Sequence, residues 1–435
     1  VAVLLIAAIP GAVGLLLWAI VDLENFVLFA VLGAIVFPAS LAKPFGTNVD
    51  AADILLLIAV SGWLISNSVG RAPDPWTRGN SFLLPALLYL AVNAASIAWS
   101  INTHATLVFT VQLIELIILY PVIFATIPQS IRKIRIALIV LVVITTGEGI
   151  ATLIQYAVSP TAHTQGTYLP GLNKNALGSF LGAGLVIATA LWLGLRARSR
   201  HWLVPAIGIL AVGTIASESR GAVIGAGMSV ILMAFILGRK RLPALLVGVV
   251  LVALYLAVIV PNEAKKAAIT GGYSSNTVRS ISWSYAIHEI ENQPWIGTGA
   301  RTYVETLPPP ITGTIPDPNN LFLLTWAELG IPGMLALGFV LFRFAQLMVR
   351  SRRLPGDASV VSIAAGGVAV SLIVHFQVDI SWVRGETTME FAMIGLMLAA
   401  NRLAPSPAPA RDARLHAADW IEDLPSVTQV AAGVD

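Results

Sequence analysis

Three arginines carry the most distinctive polar chemistry of this chain: Arg220 in SESRG, Arg279 in NTVRSISW and Arg301 in GTGARTY. A guanidinium offers a fixed fork of donors that suits phosphate. Arg220 opens an apolar stretch with glycines at 221 and 225, and a helix start there adds unpaired N–H groups that favour an anion. Paired with Arg279, it could clamp a diphosphate whose lipid tail lies between helices. Lys174, in GLNKNALG, adds a positive charge at the start of another helical run. Each has a plainer reading, as an interfacial cation reaching headgroups or a solvated loop charge.

A second constellation lies in DPNNLFLLTWAELGIPG, residues 317–333. Asp317, Asn319 and Asn320 stand where a polar segment ends and an apolar run begins, and capping of free N–H groups accounts for one of the three. Glu328 follows roughly 12 Å below Asn320 on a helix rising 1.5 Å per residue. It could pair with a buried cation, join the polar layer above it, or brace neighbouring helices. His375 and Asp379, four apart in VHFQVD, form another pair on one helical face, read as a supporting one.

These groups need a scaffold, and the composition names it. Of 435 residues 57% are hydrophobic and 11% charged, against about 25% charged in a soluble domain. The mean hydropathy is +0.82. Apolar runs of bilayer-spanning length recur, near 2–20, 24–41, 52–68, 82–98, 106–127, 134–156, 172–195, 202–216, 220–238, 242–260, 321–342, 360–380 and 386–401. The expected fold is an all-α polytopic membrane protein with about 12–13 transmembrane helices, the first two runs forming either two spans or one hairpin. The alternating short segments of a membrane barrel are absent. With no cysteine there is no disulfide, thiolate nucleophile or thiolate metal site, and a net charge of +3 gives no reason to expect nucleic acid.

Short basic clusters at Arg132, Lys133 and Arg135, at Arg196, Arg198 and Arg200, at Arg239, Lys240 and Arg241, and at Arg350, Arg352 and Arg353 mark one side as cytoplasmic. The opposite side then carries 157–171, the SESR turn and the long segment 261–320, which is more than a simple connection needs. Within that segment VRSISWSYAIHEIEN predicts a short helix and QPWIGTG a turn, and Trp283 and Trp295 favour an ordered cap. Residues 1–403 are expected to form the membrane domain, including 261–320, and 404–435 a proline- and alanine-rich cytoplasmic tail without fixed structure.

In order and spacing, GLNKNALGSFLG, SESRGAVIG, VRSISWSYAIHEIENQPWIGTGARTY and DPNNLFLLTWAELGIPGMLAL resemble the O-antigen ligase and polymerase superfamily of bacterial glycan enzymes. The resemblance runs from about 82 to 395 and is most specific from 171 to 333. It implies a glycosyltransferase of the bacterial inner membrane, active outside the cytoplasm and independent of metal or cofactor. The donor would be a glycan on undecaprenyl diphosphate and the acceptor a lipid or glycan hydroxyl, with membrane lipids the remaining partners. Arg220 and Arg279 would handle the diphosphate. The family's acid–base motif has His-Asn where this chain has Asn319 and Asn320, so Asn319 fills the histidine position and cannot hold a proton at neutral pH. Asp317 or His288 could supply a base, positioning and a good leaving group could suffice, or the chain could be inactive, naturally or by design. The expected catalytic residues are Arg220, Arg279, Asn319 and Asp317. The expected substrate contacts are Lys174, Arg301, Asn320, Glu328 and His288. Alternatives are a polysaccharide polymerase, a disabled lipid-glycan-binding homologue and a lipid-glycan transporter; a transporter should show a repeat and broken midplane helices, and no convincing repeat is present.

Overall fold

Apolar runs in hydrocarbon fold as helices because no water is there to satisfy backbone N–H and C=O groups. The computed structural model describes residues 13–36, 40–42, 49–68, 82–159, 172–195, 198–237, 241–255, 275–308, 317–379 and 385–404. In chain order the helices are α1 (Val13–Val21), α2 (Leu23–Val36), α3 (Ala51–Ser68), α4 (Leu83–Ala98), α5 (Thr103–Thr126) and α6 (Ile131–Val158). There follow α7 (Lys174–Gly194), α8 (Leu203–Ala216), α9 (Arg220–Leu237), α10 (Arg241–Leu254), α11 (Ser275–Asn292), α12 (Leu321–Ser351), α13 (Gly356–His375) and α14 (Glu386–Leu403). Strand structure among the described residues is one short antiparallel ladder, β1 (Ser40–Ala42) against β2 (Val49–Asp50).

The chain is an all-α polytopic membrane protein. Six helices, α3, α5, α6, α7, α12 and α13, are long and apolar enough to cross a bilayer. The pair α1 and α2 makes a seventh span if taken together, but it bends by 117°. Asp22 lies at that bend and caps the second helix through Asn25 N. The apolar helices α4, α8 and α9 are shorter. Each sequence-predicted run coincides with a helix over most of its described length, but 24–41 ends in β1 at residues 40–41, and 2–12, 37–39, 238, 256–260 and 380 lie outside the described residues. The run 386–401 corresponds to α14, which carries Glu386, Glu390 and Arg402 and is buried from Glu386 to Ala400. It is therefore an interior helix, not a lipid-facing one.

Burial separates centre from periphery. In the apolar windows of α7 and α13, 94% and 78% of residues are buried, against 22% in α3. Leu57, Ile65, Val143, Ile154 and Val249 are all more than half exposed, an apolar surface suited to lipid contact. The central helices approach closely through small residues, as membrane helices do. A Cβ at Gly225 of α9 would overlap the Ser371 carbonyl of α13.

The two ends of the bundle carry different polar groups. At one end Lys133 pairs with Glu24 at 2.7 Å and Arg135 pairs with Asp357 at the start of α13. His375 closes α13 at the other end, about 27 Å along the axis. The chain divides into Val1–Leu403 and Ala404–Asp435; the expected tail beyond residue 404 lies outside the described residues, as do 160–171 and 261–274.

Candidate functional site

Glu328 lies at a break in α12. Gly330 takes φ +60°, which a glycine tolerates, and Pro332 supplies no N–H to the turn before it. The carbonyls of Ala327 and Glu328 therefore leave the helical ladder. They accept the N–H groups of Thr298 at 3.1 Å and Gly299 at 2.9 Å, while Ile331 N–H donates to the Trp295 carbonyl at 3.2 Å. The Glu328 side chain completes the junction: its two oxygens accept from Arg301 N at 2.8 Å and Tyr303 N at 3.1 Å. From the other side Ile101 N–H donates to Thr298 O, Thr106 Oγ1 donates to Ala300 O, and Ala300 N–H donates to Ser96 Oγ. The GTGAR segment is thus stitched between the α4–α5 connection and the α12 break.

The DPNN turn is pinned by different partners. Asp317 is buried; its Oδ1 accepts Asn319 N–H at 2.6 Å, and Ser282 Oγ of α11 donates to its carbonyl at 2.9 Å. Asn320 caps α12, its side-chain oxygen accepting from Phe322 N and Leu323 N at 3.0 Å each. The other end of that amide donates to Gln377 O at 3.2 Å, and Leu321 N–H donates to Phe376 O at 3.0 Å. These bonds seat the turn on the C-terminal end of α13. Nearby, Ala286, Tyr303, Leu307, Leu324 and Ala327 form a small core joining α11 to α12. Tyr303 donates its phenol O–H to Ser282 O at 2.7 Å, and burial pushes that phenol up to about 12.

At that end of α13, His375 is 1% exposed and both ring nitrogens are engaged. Nδ1 lies 2.6 Å from Ser179 Oγ of α7, and Nε2 lies 2.9 Å from Asp379 Oδ2. Glu386, at the start of α14, is buried and lies within electrostatic reach of His375 and Asp379. Arg279 of α11 also lies within electrostatic reach of the imidazole. Gly221, directly after Arg220, packs against the ring so closely that a Cβ there would come within 2.5 Å. Among the described residues, α7 and α9 thus pack on the imidazole of α13, with charged groups of α11 and α14 within electrostatic reach. Among the described residues the non-glycine positive-φ positions are Glu218, Arg301 and Asn319, one in each of the SESR, GTGAR and DPNN turns. Such backbone conformations cost about 1–3 kcal/mol each and cluster at functional sites.

The expected residues separate accordingly. Arg220, Arg279, Asp317, Asn319 and Asn320 lie on the elements that converge on the end of α13. Lys174 is the first residue of α7, capped by Asn173, one turn and a half before Ser179. Arg301 is exposed, with its guanidinium 5.9 Å from the Phe109 ring of α5. His288 is exposed on α11, as are Trp283 and Ile287. Glu328 has both oxygens on backbone N–H groups. Sequence reasoning missed Ser179 and Glu386. A serine in GSFLGAG gives no signal of its own, whereas an acid heading an apolar run, as Glu386 does, is a signal that could have been used. No group of three His, Asp or Glu side chains among the described residues is arranged to hold a metal ion.

Residues 205–338 match the family model described as O-antigen ligase, Wzy_C, which supports assignment of the chain to that superfamily. The match runs from α8 into α12 and contains Arg220, Arg279, Asp317, Asn319, Asn320 and Glu328. Ser179, His375, Asp379 and Glu386 fall outside it. No curated protein matches the chain.

Proposed function

We propose that this chain, placed in the O-antigen ligase superfamily by residues 205–338, transfers a glycan from undecaprenyl diphosphate to an acceptor hydroxyl. Transfer takes place on the extracytoplasmic face of a bacterial inner membrane. The observation that carries this reading is the convergence of the Arg220 helix, Arg279 and the DPNN turn at the end of the bundle remote from the Arg135–Asp357 pair. The acceptor oxygen attacks the anomeric carbon from the face opposite the diphosphate, the glycosidic C–O bond to phosphate breaks, and configuration inverts. Arg220 and Arg279 hold the diphosphate as its charge grows; a pre-positioned donor of this kind is worth about 10²–10³ in kcat. Asn319, held by Asp317, orients a sugar or acceptor hydroxyl with its amide.

Purified protein in nanodiscs with lipid-linked glycan and an acceptor tests this through the size of the product. One discrete adduct marks a ligase, and a ladder marks a polymerase. Asn319 favours one further reading, because an amide at that place cannot take a proton: a homologue that binds the donor without turnover. Tight donor binding with no product of either kind would select it.

A further inference from the structure

The polar cluster around His375 has an arrangement that its parts do not need for packing. Ser179 Oγ, His375 Nδ1, His375 Nε2 and Asp379 Oδ2 lie in series, with contacts of 2.6 Å and 2.9 Å. With Asp379 ionised, Nε2 carries the proton toward it, and the lone pair of Nδ1 faces the serine hydroxyl. That is the geometry of a serine–histidine–aspartate proton relay, recognised by roles and distances rather than by chain order. The three residues come from two helices and the turn after one of them, and their burial inside a membrane bundle is costly unless they serve a site. Among the described residues, Asp379 from the turn after α13 and Ser179 from α7 contact the ring nitrogens, Glu386 from α14 and Arg279 from α11 lie within electrostatic reach, and Gly221, next to Arg220, packs against the ring. An imidazolium formed there has the Asp379 carboxylate 2.9 Å from Nε2 and Glu386 within electrostatic reach.

We propose that Ser179 and His375 are the proton-accepting residues of the transfer reaction, with Asp379 as the positioning residue that fixes the tautomer. The proposal rests on the glycan-transfer reading. As the acceptor oxygen bonds to the anomeric carbon, its proton passes to Ser179 Oγ and the serine proton passes to His375 Nδ1. The electron pair of the broken C–O bond leaves on the diphosphate, beside Arg220 and Arg279. His375 ends the step as an imidazolium paired with Asp379, and its proton returns through Ser179 to water once product departs.

The test compares the unsubstituted protein with His375→Gln, Ser179→Ala and Asp379→Asn in nanodiscs, measuring kcat across pH and donor binding separately. The relay predicts a loss of kcat of about 100-fold or more in His375→Gln and Ser179→Ala, with donor affinity within a few-fold. It also predicts that the fall in rate on the acid side, present in the unsubstituted protein, disappears in His375→Gln. Asp379→Asn, which keeps the shape, is expected to lose rate comparably even if the other two variants fold poorly. Rates within about threefold of the unsubstituted protein, or an acid limb that survives in His375→Gln, would overturn the relay while leaving glycan transfer intact. Absence of transfer by the unsubstituted protein with a competent acceptor would overturn the transfer reading and the relay with it.

Discussion

Glu328 commits both carboxylate oxygens to the backbone N–H groups of Arg301 and Tyr303. Glu328→Ala leaves two buried donors unpaired, each worth about 1–3 kcal/mol, so a loss on the order of 3 kcal/mol is expected in reversible unfolding in detergent. Glu328→Gln keeps one acceptor and should lose about half as much. If both variants unfold like the parent, the carboxylate does not hold the GTGAR turn. The pattern that makes Glu328 conspicuous, an acid eight residues inside an apolar run, was legible in the sequence. Its partners were not, because they are backbone groups in a loop whose fold depends on the break at Gly330. The His375–Asp379 pair was legible from its i, i+4 spacing, yet Ser179 and Glu386 come from α7 and α14, and only packing brings them to it.

At the scale of elements, the break in α12 and the QPWIGTG turn are one structure. The carbonyls released by Gly330 and Pro332 are those that Thr298 and Gly299 require, and Trp295 O receives Ile331 N–H in return. A Cβ at Gly330 would meet the Trp295 carbonyl, in addition to the strain of a positive φ. Gly330→Ala is therefore expected to lower stability by about 1–3 kcal/mol and to expose residues 293–308 to limited proteolysis. Cleavage at the parent's rate would separate the two elements. Helices were readable from apolar run length, and the turn from its glycines. The interlock between them was not, since sequence spacing says nothing about which carbonyls a loop will meet. The interior character of α14 was likewise hidden by an apolar composition that suits lipid and protein contacts equally.

For the whole molecule, an all-α membrane bundle follows from composition and run length, and the segregation of its ends from the basic clusters. The chain contains no cysteine, so single cysteines report sidedness without background. Ser284 of α11 and Arg353 after α12 are both exposed and belong to opposite ends. Ser284→Cys is expected to react with an impermeant maleimide in intact cells, and Arg353→Cys only after lysis. The reverse pattern would place the polar cluster in the cytoplasm and remove it from a lipid-linked donor presented outside. The most direct measurement of the central claim is release of undecaprenyl diphosphate from a lipid-linked glycan by the reconstituted protein, compared with Arg220→Ala and Arg279→Ala. The account predicts acceptor-dependent release by the unsubstituted protein, reduced about 100-fold or more by either substitution. Release that persists undiminished in both variants, or no release when donor and acceptor are present, would contradict it.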